Sequence, residues 1–243
     1  MMRRLLLAAA AVAVAPPAFA APAHHPAHRA APAHHAAAPA ARDWSRVVAM
    51  TPEGGFRMGN PAARVKLVEY GSLTCPHCAA FAREGEAALV QTYVKTGKVS
   101  YEYRNYVLNG IDVAATLLAR CSGPSGFFPM SQTLYATQKD WVDRISGLGQ
   151  AEKDRIKAMP EGQRLVRIAQ AGGLTQVAAR YGVAPARANQ CLSDAAAVER
   201  LGKMVQAADA LGVTGTPTFF VNGVMADTNV WTGLEPLIRN AGG

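Results

Sequence analysis

The pattern of hydrophobic and polar residues predicts a strand, a helix and a second strand in the first folded part of the chain. An apolar run at 65–70 follows the turn signal Gly59-Asn60-Pro61 and predicts a central strand. Residues 75–96 carry apolar side chains at helical spacing and end at Gly97. Residues 99–107 alternate, which predicts a second strand parallel to the first. A weaker strand is predicted near 46–50.

The rest of the pattern predicts a long helical region and a closing hairpin. Apolar runs at 218–221 and 224–225 flank Asn222-Gly223, a two-residue hairpin turn, and a final helix is expected over 231–240. Between the two parts, residues 110–212 are predicted to be helical throughout, with helices over 112–121, 129–138, 161–171, 175–181, 185–192 and 194–211. The sequence therefore predicts an α/β fold interrupted by an all-helical insert.

The first residues have the form of a secretory signal peptide, predicted over 1–20. Arg3 and Arg4 precede eleven apolar residues at 5–15, and Ala18-Phe19-Ala20 supplies a cleavage site. The alternative is a membrane anchor, for which this apolar stretch is too short. Export to the periplasm is expected, and an oxidising compartment would allow all four cysteines to pair.

Residues 21–45 are predicted to be a disordered linker rich in Ala, Pro and His. This linker holds five of the six histidines of the chain, namely His24, His25, His28, His34 and His35. Such a composition cannot bury a core, so we interpret the segment as a tether. Weak copper or zinc binding by the His pairs is the alternative.

The charge balance is basic but carries no signature of nucleic-acid binding. Removing Arg3 and Arg4 with the signal lowers the net charge from +8 to +6, with 23 basic and 17 acidic side chains left. The basic residues are scattered and aromatic residues make up only 7% of the chain. No nucleic-acid partner is predicted.

The chemistry of the chain is expected at Cys75-Pro76-His77-Cys78. A Cys-x-x-Cys that follows an apolar strand and opens a helix is typical of a redox-active dithiol. Unpaired N–H groups of the first helical turn would stabilise a thiolate on Cys75, which we expect to face solvent. Cys78, one turn further on, is expected to be shielded. Half of a zinc site is the alternative for a lone Cys-x-x-Cys.

Three motifs in this order resemble the DsbA-type thiol:disulfide oxidoreductases of the thioredoxin-like family. They are the tetrapeptide at Cys75–Cys78, the acid Glu69 six residues earlier, and Gly215-Thr216-Pro217-Thr218, which resembles the cis-proline loop of the family. The resemblance covers most of residues 56–243. It implies a thioredoxin-like domain at 46–109 and 213–243 and a helical insert at 110–212.

The resemblance also implies roles for these residues. Pro76 and His77 are predicted catalytic-site residues together with Cys75, Cys78 and Glu69, and a cationic or hydrogen-bonding His77 would stabilise the Cys75 thiolate. Glu69 would transfer a proton to or from Cys78, or alternatively would be a strand-end residue that reaches solvent.

The proline loop is expected to bind substrate. Gly215 would allow a sharp turn, and a cis bond before Pro217 would leave the backbone groups of Thr216 free to hold an extended substrate. The prototype oxidase has Val where this chain has Thr216, so the direction of the reaction stays open.

Cys121 and Cys191 lie inside the predicted helical insert. Four cysteines allow three pairings, and the sequence alone does not choose strictly among them. A catalytic pair must be free to exchange, so a structural disulfide between Cys121 and Cys191 is the simplest arrangement. A four-cysteine zinc site would need a second close pair, which the sequence lacks, and no metal site is predicted.

The predicted function is a periplasmic oxidase that introduces disulfide bonds into exported proteins with free thiols. No cofactor is predicted. The resemblance implies a quinone-linked membrane oxidase as the partner that restores the disulfide, and a monomer is expected. A disulfide isomerase or reductase of the same fold is one alternative, and a periplasmic metal-binding protein is the other.

Overall fold

The computed structural model describes residues 11–15, 17–18 and 42–243, and its centre is a mixed six-stranded sheet. The strand order is β1-β2-β4-β3-β5-β6. The strands are β1 (Val48–Met50), β2 (Phe56–Gly59), β3 (Val65–Gly71), β4 (Val99–Asn105), β5 (Thr218–Val221) and β6 (Val224–Met225). Only β3 and β4 run parallel, and the other neighbouring pairs are antiparallel.

The central strand β3 is buried because its apolar residues face one side of the sheet. Val65, Leu67 and Glu69 are nearly inaccessible to solvent and point to one face, whereas Lys66 and Val68 point to the other. Pairing with β4 on one side and β5 on the other satisfies the backbone of β3. The predicted position of Glu69 in a central strand is therefore confirmed.

The chain passes from β3 to β4 through one long helical segment. It consists of α1 (Pro76–Glu84), the short α2 (Glu86–Ala88) and a π-helical stretch at Leu89–Val94. The sequence predicted one continuous helix here. The break falls at Gly85, where an added β-carbon would come within 2.6 Å of the Trp231 Cβ atom.

The predicted helical insert is present, with two helices that the sequence pattern did not predict. The helices between β4 and β5 are α3 (Gly110–Cys121), α4 (Gly123–Ala136), α5 (Gln138–Ser146), α6 (Gln150–Ala158), α7 (Glu161–Gly172), α8 (Leu174–Arg180), α9 (Pro185–Leu192) and α10 (Ala195–Ala210). The unpredicted helices are α5 and α6, which are largely polar. The closing helix α11 (Trp231–Asn240) matches its prediction.

One hydrophobic core joins the sheet to the insert. Its buried members run from Phe56 in β2, through Leu118 and Trp141 in the insert, to Ile238 in α11. The predicted boundary between core domain and insert stays a prediction, because this packing is continuous across it. On the other face of the sheet, α10 covers Tyr70 with Ala208.

Several predictions about the N-terminus lie largely outside the described residues. These are the signal peptide and most of the linker. The last linker residues are described: Trp44–Arg46 forms a 3-10 helix capped by Asp43, so ordered structure begins slightly before the predicted domain start. The sequence pattern also missed β2. Within the described ranges, no helix is long and apolar enough to cross a membrane.

Candidate functional site

The two cysteines lie where the central strand passes into α1. Cys75 occupies the N-cap position of α1, and Pro76 takes the first helical position, where a missing N–H costs nothing. Both cysteines are free thiols in the structure. As the N-cap residue, Cys75 lies where the unpaired backbone N–H groups of the first helical turn favour an anion on its sulfur.

The loop before β5 closes over Cys75. The peptide bond between Thr216 and Pro217 is cis, the geometry that its motif predicted. The Cys75 Sγ lies 3.1 Å from the backbone carbonyl oxygen of Thr216, to which the thiol donates a hydrogen bond. This carbonyl was expected to be free for substrate. It becomes available only when Cys75 gives up its proton or is oxidised.

Cys75 is an acidic thiol. A hydrogen bond from the Cys78 side chain lowers its pKa to about 5, against the opposing effect of partial burial. The Thr216 side chain and the backbone N–H groups of Cys78 and His77 lower this pKa further. Cys75 would therefore be a thiolate at neutral pH.

Cys78 has the opposite character. It is completely buried, and burial raises its pKa well above the ordinary value of a thiol. The hydrogen bond with Cys75 and the nearby charge of Glu69 raise this pKa further. The dithiol is thus polarised, with one sulfur held as an anion and the other held as a protonated thiol.

Glu69 lies near Cys78 and forms a buried acidic cluster with Glu86. It is 1% exposed, so the alternative of a residue that reaches solvent is excluded. Burial raises its pKa to about 8, and the charges of Glu86 and Cys75 act in the same direction. A hydrogen bond of 2.6 Å from the Tyr101 hydroxyl opposes this rise. Glu69 would therefore carry a proton at neutral pH next to Cys78.

Glu86 is a second buried acid that the sequence prediction missed. It is 7% exposed, and burial raises its pKa to about 7, which a hydrogen bond with Gln132 partly offsets. A signal for it exists in the sequence. Cys78, Ala82 and Glu86 are four residues apart and share one helix face, so a carboxyl group interrupts an otherwise apolar stripe.

Residues of the insert hold the loop that leads into Cys75. The buried Asp112 accepts hydrogen bonds from the Ser72 hydroxyl at 2.6 Å and from the Leu73 backbone N–H at 3.0 Å. The Gln138 side chain donates to the carbonyl oxygens of Leu73 at 2.8 Å and of Cys75 at 3.0 Å. These contacts fix the entry to α1, and neither residue was predicted as part of the site.

Gly71 allows a tyrosine to lie directly under this loop. A β-carbon at Gly71 would come within 2.6 Å of the Tyr103 hydroxyl oxygen, so only glycine permits this approach. The Tyr103 hydroxyl hydrogen-bonds that of Tyr135 at 2.6 Å, and Tyr135 in turn donates to the Ser72 carbonyl. Gly215, in contrast, has no positive φ, and a side chain there would meet open space. Packing therefore gives no reason for the predicted role of Gly215.

The structure corrects the expected exposure of Cys75. The prediction made it the solvent-facing cysteine, but it is only 5% exposed because the Thr216 loop covers it. Cys121 and Cys191, by contrast, are both partly exposed. His77 is exposed, and its contribution to the lowered pKa of Cys75, smaller than that of the Cys78 side chain, comes through its backbone N–H. A role for its imidazole stays a prediction.

Cys121 and Cys191 form the disulfide that chemistry favoured. The bond joins the end of α3 to α9 across 70 residues of sequence. It leaves Cys75 and Cys78 as the free pair. Within the described part of the chain, no group of three or more His, Cys, Asp or Glu side chains is arranged to hold a metal ion.

Comparison with known proteins places the chain in a family. A family model described as Thioredoxin matches residues 51–240, and the chain therefore belongs to the thioredoxin family. The predicted resemblance to the DsbA-type proteins is confirmed at the level of family and fold.

Two solved structures show the same architecture. A protein-disulfide isomerase from Novosphingobium aromaticivorans is 31% identical with a TM-score of 0.71, and the match covers 77% of this chain and 97% of that one. Alpha-DsbA1 from Wolbachia pipientis is 21% identical with a TM-score of 0.63, and the match covers 79% and 92%. The second likeness shows the fold alone.

Curated relatives are longer than this chain. A protein from Rickettsia bellii (strain RML369-C), provisionally named a protein-disulfide oxidoreductase, is 31% identical over 184 residues. The match covers 75% of this chain and 62% of that protein. The chain thus spans less than two thirds of the length of this relative.

Proposed function

We propose that this protein is a thiol:disulfide oxidoreductase that acts as an oxidase on exported proteins in the periplasm. The observation that carries the proposal is the polarised pair: an acidic Cys75 at a helix N-terminus against a buried, weakly acidic Cys78. Cys75 also contacts the Thr216–Pro217 loop, on which a substrate strand would lie.

The reaction starts from a disulfide between Cys75 and Cys78. A substrate thiolate attacks the Cys75 sulfur, a mixed disulfide forms, and the bond to Cys78 breaks. The Cys78 sulfur takes up a proton, because its pKa is high, and the protonated Glu69 is the nearby donor. A second substrate thiolate then attacks the substrate sulfur of the mixed disulfide, and Cys75 leaves as a thiolate. Two electrons pass from the substrate dithiol to the active-site pair.

The low pKa of Cys75 favours this direction. Lowering a thiol pKa from its ordinary ~8.5 to about 5 stabilises the reduced enzyme at pH 7 by on the order of 3 kcal/mol, or roughly 60 mV. A protein whose reduced form is stabilised in this way is a better oxidant. A membrane-bound, quinone-linked oxidase would then restore the disulfide, and the enzyme would act as a monomer.

An isomerase is the second candidate function. It is favoured by the name of the Novosphingobium protein and by Thr216, which precedes the cis proline. An isomerase works from the reduced dithiol, whereas an oxidase works from the disulfide. The two candidates therefore differ in the redox state that the cell maintains at Cys75 and Cys78.

The test has two arms. In cells, alkylation trapping should find Cys75 and Cys78 mostly oxidised, whereas a mostly reduced pair would indicate an isomerase. In vitro, the oxidised protein should convert a reduced, unfolded substrate protein to its disulfide form. Cys75→Ser should abolish this conversion and Cys78→Ser should trap mixed disulfides. Full activity in Cys75→Ser would refute the proposed site.

A further inference from the structure

A large cavity lies on the face of the sheet opposite the acidic cluster. Its volume is about 970 Å³, within the range of small-molecule sites. The turn between β1 and β2, the end of α3, α9 and α10 form its walls, and Tyr70 lies in its base. Neighbouring residues of a strand point to opposite faces, so Tyr70 faces this cavity while Glu69 faces Cys78. Neither active-site cysteine lines it.

The lining of the cavity is strongly cationic. Five basic side chains face two carboxylates there: Arg104, Arg120, Arg187, Arg200 and Lys203, against Glu53 and Asp194. Three of the basic groups form ion pairs, at 2.7 Å for Arg104 with Glu102, 3.4 Å for Arg200 with Asp194 and 2.6 Å for Lys203 with Glu199. The cavity therefore has a net positive charge even after local pairing.

Two guanidinium groups, Arg120 and Arg187, pair with no carboxylate in the described part of the chain. Arg120 donates to the neutral oxygens of Gly54 at 2.9 Å and Asn105 at 3.0 Å. Among the described residues, the Arg187 side chain donates only to the side-chain oxygen of Gln190, at 3.5 Å. Burial lowers the pKa of Arg120 to about 10, and the nearby charge of Arg200 acts in the same direction. A bound anion would supply the missing compensation.

The remainder of the lining is apolar. Leu117, Met204, Ala207 and Leu211 contribute hydrocarbon surface beside the arginines. Leu211 is 54% exposed and Met50, on the opposite wall, is 55% exposed, so apolar surface is left uncovered at this site. Exposed apolar surface next to a small number of charged groups is typical of a ligand pocket.

We infer that this cavity binds an amphipathic organic anion, with its acidic head on Arg120 and Arg187 and its hydrocarbon body against α10. The chemical class is a carboxylate or phosphate attached to an apolar chain. Guanidinium groups suit such heads because their planar N–H donors match the oxygens of carboxylate and phosphate. The linker of this chain is a poor occupant, because residues 21–42 contain no acidic side chain.

The first experiment measures binding of dodecanoate to the purified protein by titration calorimetry. A single saturable site is expected. Dodecyltrimethylammonium, which has the same hydrocarbon chain and a cationic head, should not bind, and acetate, which has the head alone, should bind at least about tenfold more weakly. Dodecyl phosphate in place of dodecanoate tells whether the site prefers a phosphate or a carboxylate head. No saturable dodecanoate binding, or equal binding of the cationic analogue, would overturn the inference.

Variants of residues inside and outside the cavity then test whether dodecanoate binds there. Arg120→Gln combined with Arg187→Gln should weaken dodecanoate binding about tenfold or more. Ala207→Trp fills the cavity from an exposed helix position without changing charge, and it should weaken binding to a similar extent. Arg180→Gln removes an exposed positive charge outside the cavity and should change affinity by less than about twofold.

Separate controls show whether each variant is folded. Arg187 is exposed, so Arg187→Gln alone should leave thermal unfolding unchanged and still weaken binding measurably. If Arg187→Gln and Ala207→Trp both unfold like the unmodified protein and both bind dodecanoate with unchanged affinity, the cavity is not the site and the inference fails. The rate of Cys75 exchange serves as a second check that each variant is folded.

Discussion

The hydroxyl of Tyr101 donates a hydrogen bond of 2.6 Å to Glu69 Oε2 on the buried face of the sheet. The two residues belong to the neighbouring parallel strands β4 and β3. This contact favours the charged form of Glu69, but burial outweighs it and keeps the pKa of Glu69 near 8. The Glu69 carboxyl group therefore stays protonated at neutral pH next to Cys78, where the exchange reaction needs a proton.

Replacing Glu69 with Gln should change the pH dependence of stability. The folded-state pKa of Glu69 is raised, so ionisation of this group destabilises the folded protein. The cost is absent below the unfolded-state pKa of ~4.3, grows as the pH rises, and is complete above about 8. Glu69→Gln should gain up to roughly 5 kcal/mol of unfolding free energy relative to the unmodified protein across this window.

Urea unfolding at several pH values measures this effect. Glu84→Gln is the matched control, because Glu84 is an exposed acid on the neighbouring helix. The free energy of unfolding of Glu84→Gln should change with pH in the same way as that of the unmodified protein. If the unfolding free energy of Glu69→Gln also followed that of the unmodified protein across the whole pH range, Glu69 would not carry a raised pKa.

Thr216→Val should raise the pKa of Cys75. The Thr216 side chain lowers this pKa through a hydrogen bond that Val cannot form. A hydrogen bond to a charged group contributes about 1.5 kcal/mol or more, so a rise of about one pKa unit is expected. The reduced form loses that stabilisation, and the reduction potential should become more negative by on the order of 30 mV.

Ultraviolet absorbance of the thiolate as a function of pH gives the Cys75 pKa, and equilibration with a glutathione buffer gives the potential. Thr214→Val is the control, because Thr214 is exposed in the same loop. Equal pKa values for Thr216→Val and the unmodified protein would show that the Thr216 hydroxyl does not act on Cys75.

Gln138→Ala should loosen the start of α1. The Gln138 side chain donates to two carbonyl oxygens of the loop, those of Leu73 and Cys75. Losing both bonds should cost roughly 1 to 3 kcal/mol of unfolding free energy. It should also slow thiol exchange at Cys75, because the sulfur is then held less firmly at the helix N-terminus.

Thermal unfolding and the rate of exchange with a small disulfide measure these two effects. Gln150→Ala is the control, since Gln150 is exposed and its side chain donates to Asp154 within the same helix. A Gln138→Ala protein with unchanged stability and unchanged exchange rate would show that the insert does not position the site through this residue.

Replacing Cys121 and Cys191 together with Ala should lower stability and spare the chemistry. The disulfide closes a loop of 70 residues, which corresponds to about 4 kcal/mol in the chain-entropy description. Its sulfurs lie on α3 and α9 beside the cavity, which neither active-site cysteine lines, so the pKa of Cys75 should stay the same. Chemical denaturation and thiolate titration of the same variant test both parts. Unchanged stability, or a shifted Cys75 pKa, would contradict the structural role.

The sequence by itself determined the features that depend on neighbouring residues. The spacing of Cys75 and Cys78, Pro76 at the first helical position and the Thr216–Pro217 pair are local patterns with a direct chemical meaning. The hydrophobic alternation of β3 was equally clear, and with it the position of Glu69 in a buried strand. The strand β2 was missed because Phe56–Gly59 is short and contains Arg57, and the polar α5 and α6 lack a broad apolar stripe.

Only the tertiary structure decided how distant side chains meet at the site. Asp112, Tyr135 and Gln138 are separated from the Cys75 loop by 40, 63 and 63 residues, yet all three hydrogen-bond to it. The tertiary structure also decided that the Thr216 loop covers Cys75, and that five basic residues from four separate elements line one cavity. Periodicity reports which face of an element is buried but not which element covers it. Close packing between elements, and the desolvation that raises the pKa of Glu69 and Cys78, exist only once the chain has folded.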